Sequence, residues 1–353
     1  MAGGDDPARV TLATVAAAAG VSSKTASLAL RGDHSVARGT SNRVRDAAAR
    51  LGYVARGARR QVIGVIVPYV GHRVYSELFA HLRREAAGYD FTTLLVEGLG
   101  DPSTEKSLLS ELRWRGVDGV VMVAPRSAPE DLEVESTVHQ PIVTIGMATP
   151  TEPRTAFARI EIDQVEGGRL AAEHLLSAAR TRIAYLAGRV PSASDQGRRT
   201  GYRAVLEEAS IGLDERLVVE LERHTVQPWP DYELGYDQCL RLLDRRAPFD
   251  AILAYSDAIA IGALRALHER THLRAPADVS LVGFDALAVG QYLVPKLTSV
   301  GVPWYRVALT ALDLLIDMMS GPRAVRPVHR FEPELVLGES AVGTPSEAGF
   351  GGA

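Results

Sequence analysis

Apolar positions in residues 10–53 recur at three- and four-residue spacings. From residue 62 the pattern changes to short β-branched runs separated by amphipathic stretches. The first pattern predicts three short helices. Thr11 precedes a run from Leu12 to Ala19 that Gly20 breaks, Ser22 or Ser23 opens a second run to about Leu30, and a third spans about Ser41 to Leu51 and stops at Gly52. Leu12, Val15, Ala19, Val21, Ala26, Leu30, Val44, Ala48 and Leu51 fall on shared faces and predict one small core. The second pattern predicts strands at Val62–Val67, Thr92–Val96, Val117–Val123 and Ile142–Ile145. A further set follows at Arg182–Leu186, Leu217–Leu221, Ala251–Ala254 and Val279–Val282. Amphipathic stretches between most of them (Tyr75–Ala87, Ser103–Arg115, Gly168–Ala178, Arg198–Ala209, Tyr232–Asp244, Ala258–Arg270) make this an α/β alternation. Such alternation builds doubly wound parallel sheets, here as two lobes of four strands each.

Charge is unevenly placed. Residues 8–61 carry ten Lys/Arg and two acids, a net of +8 within a chain of 353 residues whose total is −4. An Ala-rich bundle with a merely solvated face has no reason to be so basic, whereas a module that binds a phosphate backbone does. On the second helix, turning Ala26 inward leaves Ser23, Lys24, Ser27 and Leu28 as an outward stripe. A short exposed helix after a Gly-containing turn suits a helix-turn-helix entering a major groove.

The body is ordinary for a globular protein, 46% hydrophobic and 23% charged. It has no apolar run long enough to span a membrane and no secretory signal, so a cytoplasmic chain with no membrane partner is expected. The single cysteine, Cys239, cannot form an internal disulfide or a CxxC metal site. Val67-Pro68-Tyr69-Val70-Gly71 is no dinucleotide loop, and there is no G-x-S-x-G elbow. His72, His81, His139, His174 and His268 are scattered, and most of them read as surface or helix-face residues. No enzyme, metal or cofactor is therefore expected.

Ligands of open α/β sheets bind beyond the carboxyl ends of the strands. Here those ends are Pro68–Tyr75, Ala124–Arg126, Gly146, Gly188–Arg198, Ser256-Asp257 and Asp285. A cleft between two such lobes is a natural small-molecule site.

VTLATVAAAAGVSSKTASLALRG, with VRDAAARLGY behind it, resembles the DNA-binding head of the lactose-repressor (LacI/GalR) family of bacterial transcription regulators. IGVIVP, RGVDGVVMVAP, RRTGYRAVL, FDAILAYSDAIAIGALRAL and APADVSLVGFD resemble the family's periplasmic-binding-protein-like effector domain. The resemblance implies a helix-turn-helix head (1–53), a linker (54–61) and an effector-binding and dimerisation domain (62–337). That domain's first lobe would comprise about 62–160 and 291–322, its second about 161–290 and 323–337, and residues 338–353 would form a disordered tail. Pro295–Val300 would be the crossing back to the first lobe, and Phe331–Leu337 would return to the second.

The linker departs from the family pattern. Ala55-Arg56 stands where Pro-Asn is usual, and too few residues remain for a hinge helix and spacer. Arg56, Arg59 and Arg60 are then either a basic arm on DNA or part of a plain solvated tether.

The resemblance further implies a homodimeric regulator, a repressor, on a pseudo-palindromic double-stranded operator, controlled by a carbohydrate-like effector. Ser23 and Lys24 would face base edges, Ser22, Thr25, Ser27 and Arg31 phosphates, and Thr11 joins the DNA-facing set. Arg198 of R-x-x-G-Y and Asp285 after G-F would hold ligand hydroxyls, the alternative being a salt bridge between them across the cleft. Tyr75 and Trp229 offer flat faces, and Asp163, Ser256 and Asp257 complete the expected effector set. Gln164 replaces the family's usual Asn, and Gly146 stands where some relatives carry an acid. The alternatives are a cytoplasmic small-molecule binder of the same fold with weak DNA binding, and a transporter's binding protein. The basic head argues against the second.

Leu28 occupies a position that is often an arginine in the family. Leucine cannot make the bidentate guanine contact but can pack on a thymine methyl. Operators selected from random DNA should tolerate or prefer A·T opposite Leu28, and an invariant G·C there would refute the assignment.

Overall fold

The computed structural model describes residues 11–30, 33, 36–51, 61–138, 140–146, 157–189, 192–220, 231–319 and 328–341. Arg31, Arg56, Arg59, Arg60, Trp229 and the hinge expectation lie outside these residues. The chain divides into two compact units, Met1–Ile63 with Arg83–Thr93, and Gly64–Leu82 with Leu94–Ala353.

The first unit carries α1 (Leu12–Ala19), α2 (Ser23–Leu30) and α3 (Arg38–Leu51). Thr11 caps α1 by accepting from Thr14 N at 3.3 Å, and Gly20 ends it in the left-handed region at φ 67°. Val15, Ala16, Ala19, Ala26, Ala29, Val44, Ala47 and Ala48 form the core, with Leu12, Val21, Leu30, Val36 and Leu51 packed against it. Alanines dominate because three short helices must approach closely. The third helix starts three residues earlier than its pattern suggests, since the Ala37 carbonyl accepts from Thr40 N and Ser41 N and closes an extra turn through Gly39.

Two sheets follow. Strands β1 (Val62–Val67), β2 (Thr92–Glu97), β3 (Gly119–Val123), β4 (Ile142–Ile145) and β5 (Ala158–Ile162) alternate with α4 (Arg73–Ala87), α5 (Pro102–Trp114) and α6 (Pro129–Val138). After α7 (Gln164–Ser177) come β6 (Ile183–Leu186), α8 (Ala193–Glu208), β7 (Val218–Val219), α9 (Asp231–Asp244), β8 (Ala251–Ala254), α10 (Asp257–Arg270) and β9 (Ser280–Asp285). The chain continues through β10 (Thr298–Gly301), α11 (Trp304–Met319), β11 (Val328–Phe331) and β12 (Glu334–Val336). The sheet orders are β11-β5-β4-β3-β1-β2 and β12-β10-β9-β8-β6-β7. Both therefore have the same doubly wound order, with topological switch points between β1 and β3 and between β6 and β8.

Among the described residues, six strands per sheet replace the expected four. In β5 (ARIEI) the apolar/charged alternation hides a buried strand, because Arg159 and Glu161 lie 3.9 Å apart and Arg330 donates to Glu161 at 3.2 Å. Helix α6 has no marked apolar stripe and was not expected.

The expected crossing at 295–300 is corrected. Thr298–Gly301 still belongs to the second sheet, parallel to β9, and the chain crosses after it, into α11 packed on β3, β4 and β5. The return to the second lobe within Phe331–Leu337 is as expected, since β12 joins the second sheet, but the second-lobe bound at 323 is corrected, since β11 pairs parallel with β5 of the first sheet. Family landmarks cannot place a four-residue strand that either sheet could take; its hydrogen-bonding edge does.

The expected tail from 338 is corrected for its first residues. Ser340 is fully buried and donates to Leu281 O at 2.6 Å, while its own carbonyl accepts from Leu281 N at 2.8 Å. Small side chains suit this narrow seam, which composition alone reads as disorder. Residues 342–353 lie outside the described part.

Two helix pairs close over the second sheet through glycines. A Cβ on Gly168 of α7 would stand 2.0 Å from the Arg198 carbonyl, and one on Gly201 of α8 2.0 Å from the Val165 carbonyl. Gly235 of α9 and Gly262 of α10 meet Ile259 O and Tyr232 O in the same way, at 2.1 and 1.9 Å. Backbone-to-backbone contact sets both crossings. Gly201→Ala should therefore cost about 1–3 kcal/mol or more from overpacking, against a helix-propensity gain of about 1 kcal/mol, read as a lower urea midpoint.

Candidate effector cleft and DNA-reading helix

On the helical head the Ser22 Oγ accepts from Thr25 N at 3.0 Å and pairs with Thr25 Oγ1 at 2.8 Å, so Ser22 caps α2. Ser22, Ser23 and Lys24 are exposed, and Thr25, Ser27 and Leu28 are half-buried around a fully buried Ala26. Thr11 is exposed, its hydroxyl spent on capping α1. Of the stripe expected on the second helix, Ser23 and Lys24 are fully outward, and Ser27 and Leu28 are partly covered.

In the body, the carboxyl ends of the strands converge on a cavity of about 40 Å³, room for a few water molecules in this conformation. The first lobe supplies His72 and Tyr75 beyond β1, Ala124 and Gly146 at the ends of β3 and β4, and Trp304 at the start of α11. The second supplies Gln164, Ser194, Arg198, Tyr255 and Asp285.

Arg198 dominates the site and is only 4% exposed. Its Nε donates to Gln164 Oε1 at 2.8 Å, its Nη1 donates to the Tyr255 carbonyl, and its Nη2 lies 3.9 Å from Asp285 Oδ1. The guanidinium lies over the Phe284 and Tyr255 rings, 3.4 and 4.5 Å from their centroids. Asp285 closes β9 with φ 106°, a region that side chains rarely adopt, so its carboxylate is held toward the cleft at a conformational cost. Burial pushes its carboxyl well above the usual carboxylate range, and the Arg198 charge opposes this. Arg198 and Asp285 stand on the same lobe, so the alternative of a salt bridge across the cleft is corrected to a loose pair within one wall of it.

Three other expected effector residues do not line the cavity. Asp163 caps α7, accepting from Glu166 N at 2.9 Å, and Ser256 caps α10, accepting from Ile259 N at 3.3 Å. Asp257 is fully buried, with its oxygens accepting from Leu287 N and Ser299 Oγ, both at 2.6 Å. It pins the turn after β9 to β10. A motif position marks helix starts as readily as ligand contacts, because the same strand-to-helix turn provides both.

Tyr75, Arg198 and Asp285 do line it. His72, Gln164, Ser194, Tyr255 and Trp304 also line it and are not in the expected effector set. His72, Ser194 and Tyr255 lie in or beside strand-end segments that the sequence marks, whereas Trp304 follows a strand that its pattern conceals. His72 is corrected from a scattered surface residue to a wall of the cleft. Its Nδ1 and the Trp304 Nε1 are buried polar atoms without a hydrogen-bond partner.

A model of bacterial regulatory proteins of the lacI family matches residues 11–55, and one of periplasmic binding protein-like domains matches residues 172–341. The transcriptional regulator AscG of Escherichia coli (strain K12) is 30% identical over 343 residues, covering 94% of this chain and 98% of AscG. The chain belongs to the lacI family. Among solved structures, the transcriptional regulator CelR–cellobiose complex is 28% identical with a TM-score of 0.68, over 94% of this chain and 100% of that one. The lac repressor dimer bound to operator and the anti-inducer ONPF, at 24% identity and a TM-score of 0.72, shares the fold over 94% of this chain and 99% of its own. This lacI-family chain is a DNA-binding transcription regulator, and its relatives are regulators, not enzymes. Among the described residues no helix is long and apolar enough to cross a membrane.

Burial raises the Asp257 carboxyl to about 7 from an ordinary 3.8. Folding then takes up a proton at Asp257 between those values, so its contribution to stability falls as pH rises from about 4 to 7. Asp257→Asn removes this titration. Urea denaturation across that range should show wild type losing stability relative to the variant by on the order of 1 kcal/mol per pH unit.

Proposed function

We propose that this chain is a repressor that binds a pseudo-palindromic operator as a homodimer and is controlled by a neutral, sugar-like effector in the cleft. Residues 1–53 form the head, 54–61 the short linker and 62–337 the effector-binding and dimerisation domain.

The observation that carries this reading is the Arg198–Asp285 wall. A guanidinium and a carboxyl group 3.9 Å apart, flanked by Tyr75, Tyr255 and Trp304, offer donors, an acceptor and flat apolar faces. That chemistry suits vicinal hydroxyls on a ring rather than a phosphate, and the cellobiose of the CelR complex is a ligand of this kind. About 40 Å³ is too small for a sugar ring, so the lobes must part to admit one and then close around a cavity wider than this. Linking closure to the spacing of two heads would change operator affinity by about 1–3 kcal/mol. The shortened linker leaves less room for a hinge-helix switch, so in this reading the arginines at 56, 59 and 60 help hold DNA directly.

Selection of genomic fragments by the purified protein, followed by footprinting, tests the reading. One recovered palindrome is expected, released by one of a panel of neutral sugars that includes cellobiose. Arg198→Ala should keep operator binding and weaken the response to that sugar about ten- to hundredfold, the worth of a lost charged hydrogen-bond donor. Unselective, salt-sensitive retention without a palindrome would overturn it.

A further inference from the structure

His72 stands between two things that a cleft-controlled protein must connect. It belongs to the first lobe, where its ring stacks on Tyr75 with centroids 4.5 Å apart and planes 28° apart. Its Nε2 lies 3.7 Å from Asp231 Oδ2 on α9 of the second lobe. Asp231 is gripped by Arg189, whose Nη2 and Nε donate to Oδ1 at 2.8 and 3.2 Å. All three side chains are more than four-fifths buried. The other ring nitrogen, Nδ1, is buried without a partner in a residue that lines the cavity.

We propose that the His72–Asp231–Arg189 contact is a clasp that holds the two lobes closed, and that a hydroxyl of a molecule in the cavity tightens it by donating to His72 Nδ1. The second half rests on the effector reading above. The chemistry is a tautomer choice. A donor at Nδ1 leaves the proton on Nε2, and Nε2–H is the form that can donate to Asp231. A gap of 3.7 Å is longer than a formed hydrogen bond, so the contact has room to tighten. Burial lowers the His72 pKa below 6.5, with Asp231 opposing and Arg198 and Arg189 reinforcing the shift, which keeps the ring neutral at neutral pH. The stack on Tyr75 fixes the ring plane, so occupancy on one edge is felt on the other.

The distance between spin labels on the two lobes tests the clasp. Glu111→Cys on α5 and Glu233→Cys on α9 provide exposed sites, while Cys239 is fully buried and stays unlabelled. His72→Phe keeps an aromatic ring over Tyr75 and removes both nitrogens; Asp231→Asn removes the charge. Each should lower the ratio of closed to open lobes at least about threefold, and the double variant should add nothing to either. His72→Gln, whose amide can still donate toward Asp231, should recover part of the closed population. Unchanged distances in His72→Phe would overturn the clasp, whatever binds in the cavity.

The same neutral sugars, added to wild type and His72→Phe and followed by tryptophan fluorescence and label distance, test the hydroxyl contact. A sugar that closes wild type and fails to close His72→Phe supports it, and equal closure of both overturns it. Lengthened distances in both clasp variants, with no sugar bound by wild type, would uphold the clasp and overturn the effector reading.

Discussion

The body of this protein depends on how one buried cation is held. Arg198 has almost no contact with solvent, and an unpaired guanidinium there would carry a desolvation penalty of several kcal/mol. It is paid for by a side-chain amide, a backbone carbonyl, two aromatic faces and a nearby carboxylate, drawn from α7, the end of β8 and the end of β9. These partners lie far apart in sequence. They meet because Gly168 lets α7 rest directly on the carbonyl of Arg198 itself, and Gly201 lets α8 rest on that of Val165. The small-residue crossing and the polar network are therefore one constraint, since moving either helix by the width of a methyl group would pull Gln164 away from Arg198.

Asp257 performs the corresponding task from below. Its carboxylate ties the turn after β9 to β10, behind the strained backbone of Asp285. Positive φ at both Asp285 and Ala286 is sustained because Ala286 N donates to Ser299 Oγ and Leu287 N to Asp257. The acid facing the cleft thus rests on a buried acid that never reaches it. A rigid second-lobe wall set against a first-lobe wall of His72, Tyr75 and Trp304 gives the cleft one preorganised side and one side whose polar atoms still want partners.

Much of this was legible in the residues. Three-residue and four-residue periodicity, Thr11 and Gly20 predict the first two helices of the head to within a residue, because caps and apolar stripes are local. The rule that ligands gather beyond strand ends marks the segments that hold His72, Ser194 and Arg198, because a parallel sheet presents all those ends on one side. It could not separate Arg198, which reaches the cavity, from Asp257, which turns away from it. Both are charged residues within the first two turns of a helix that follows a strand end, and only the packing behind each decides its direction.

The sequence by itself determined the class of each segment, the basic head and the two alternating α/β halves, since these follow from spacing and composition along a few turns or strands. Tertiary structure alone decided which sheet takes Thr298–Gly301, that Gly338–Ala341 is ordered, and that His72 faces both a cavity and Asp231. Each of these depends on a partner tens to more than a hundred residues away. A short polar strand, a run of small residues and a lone histidine carry too little local preference to name that partner. Hydrogen-bonding edges and close backbone approach choose it once the helices and sheets have assembled.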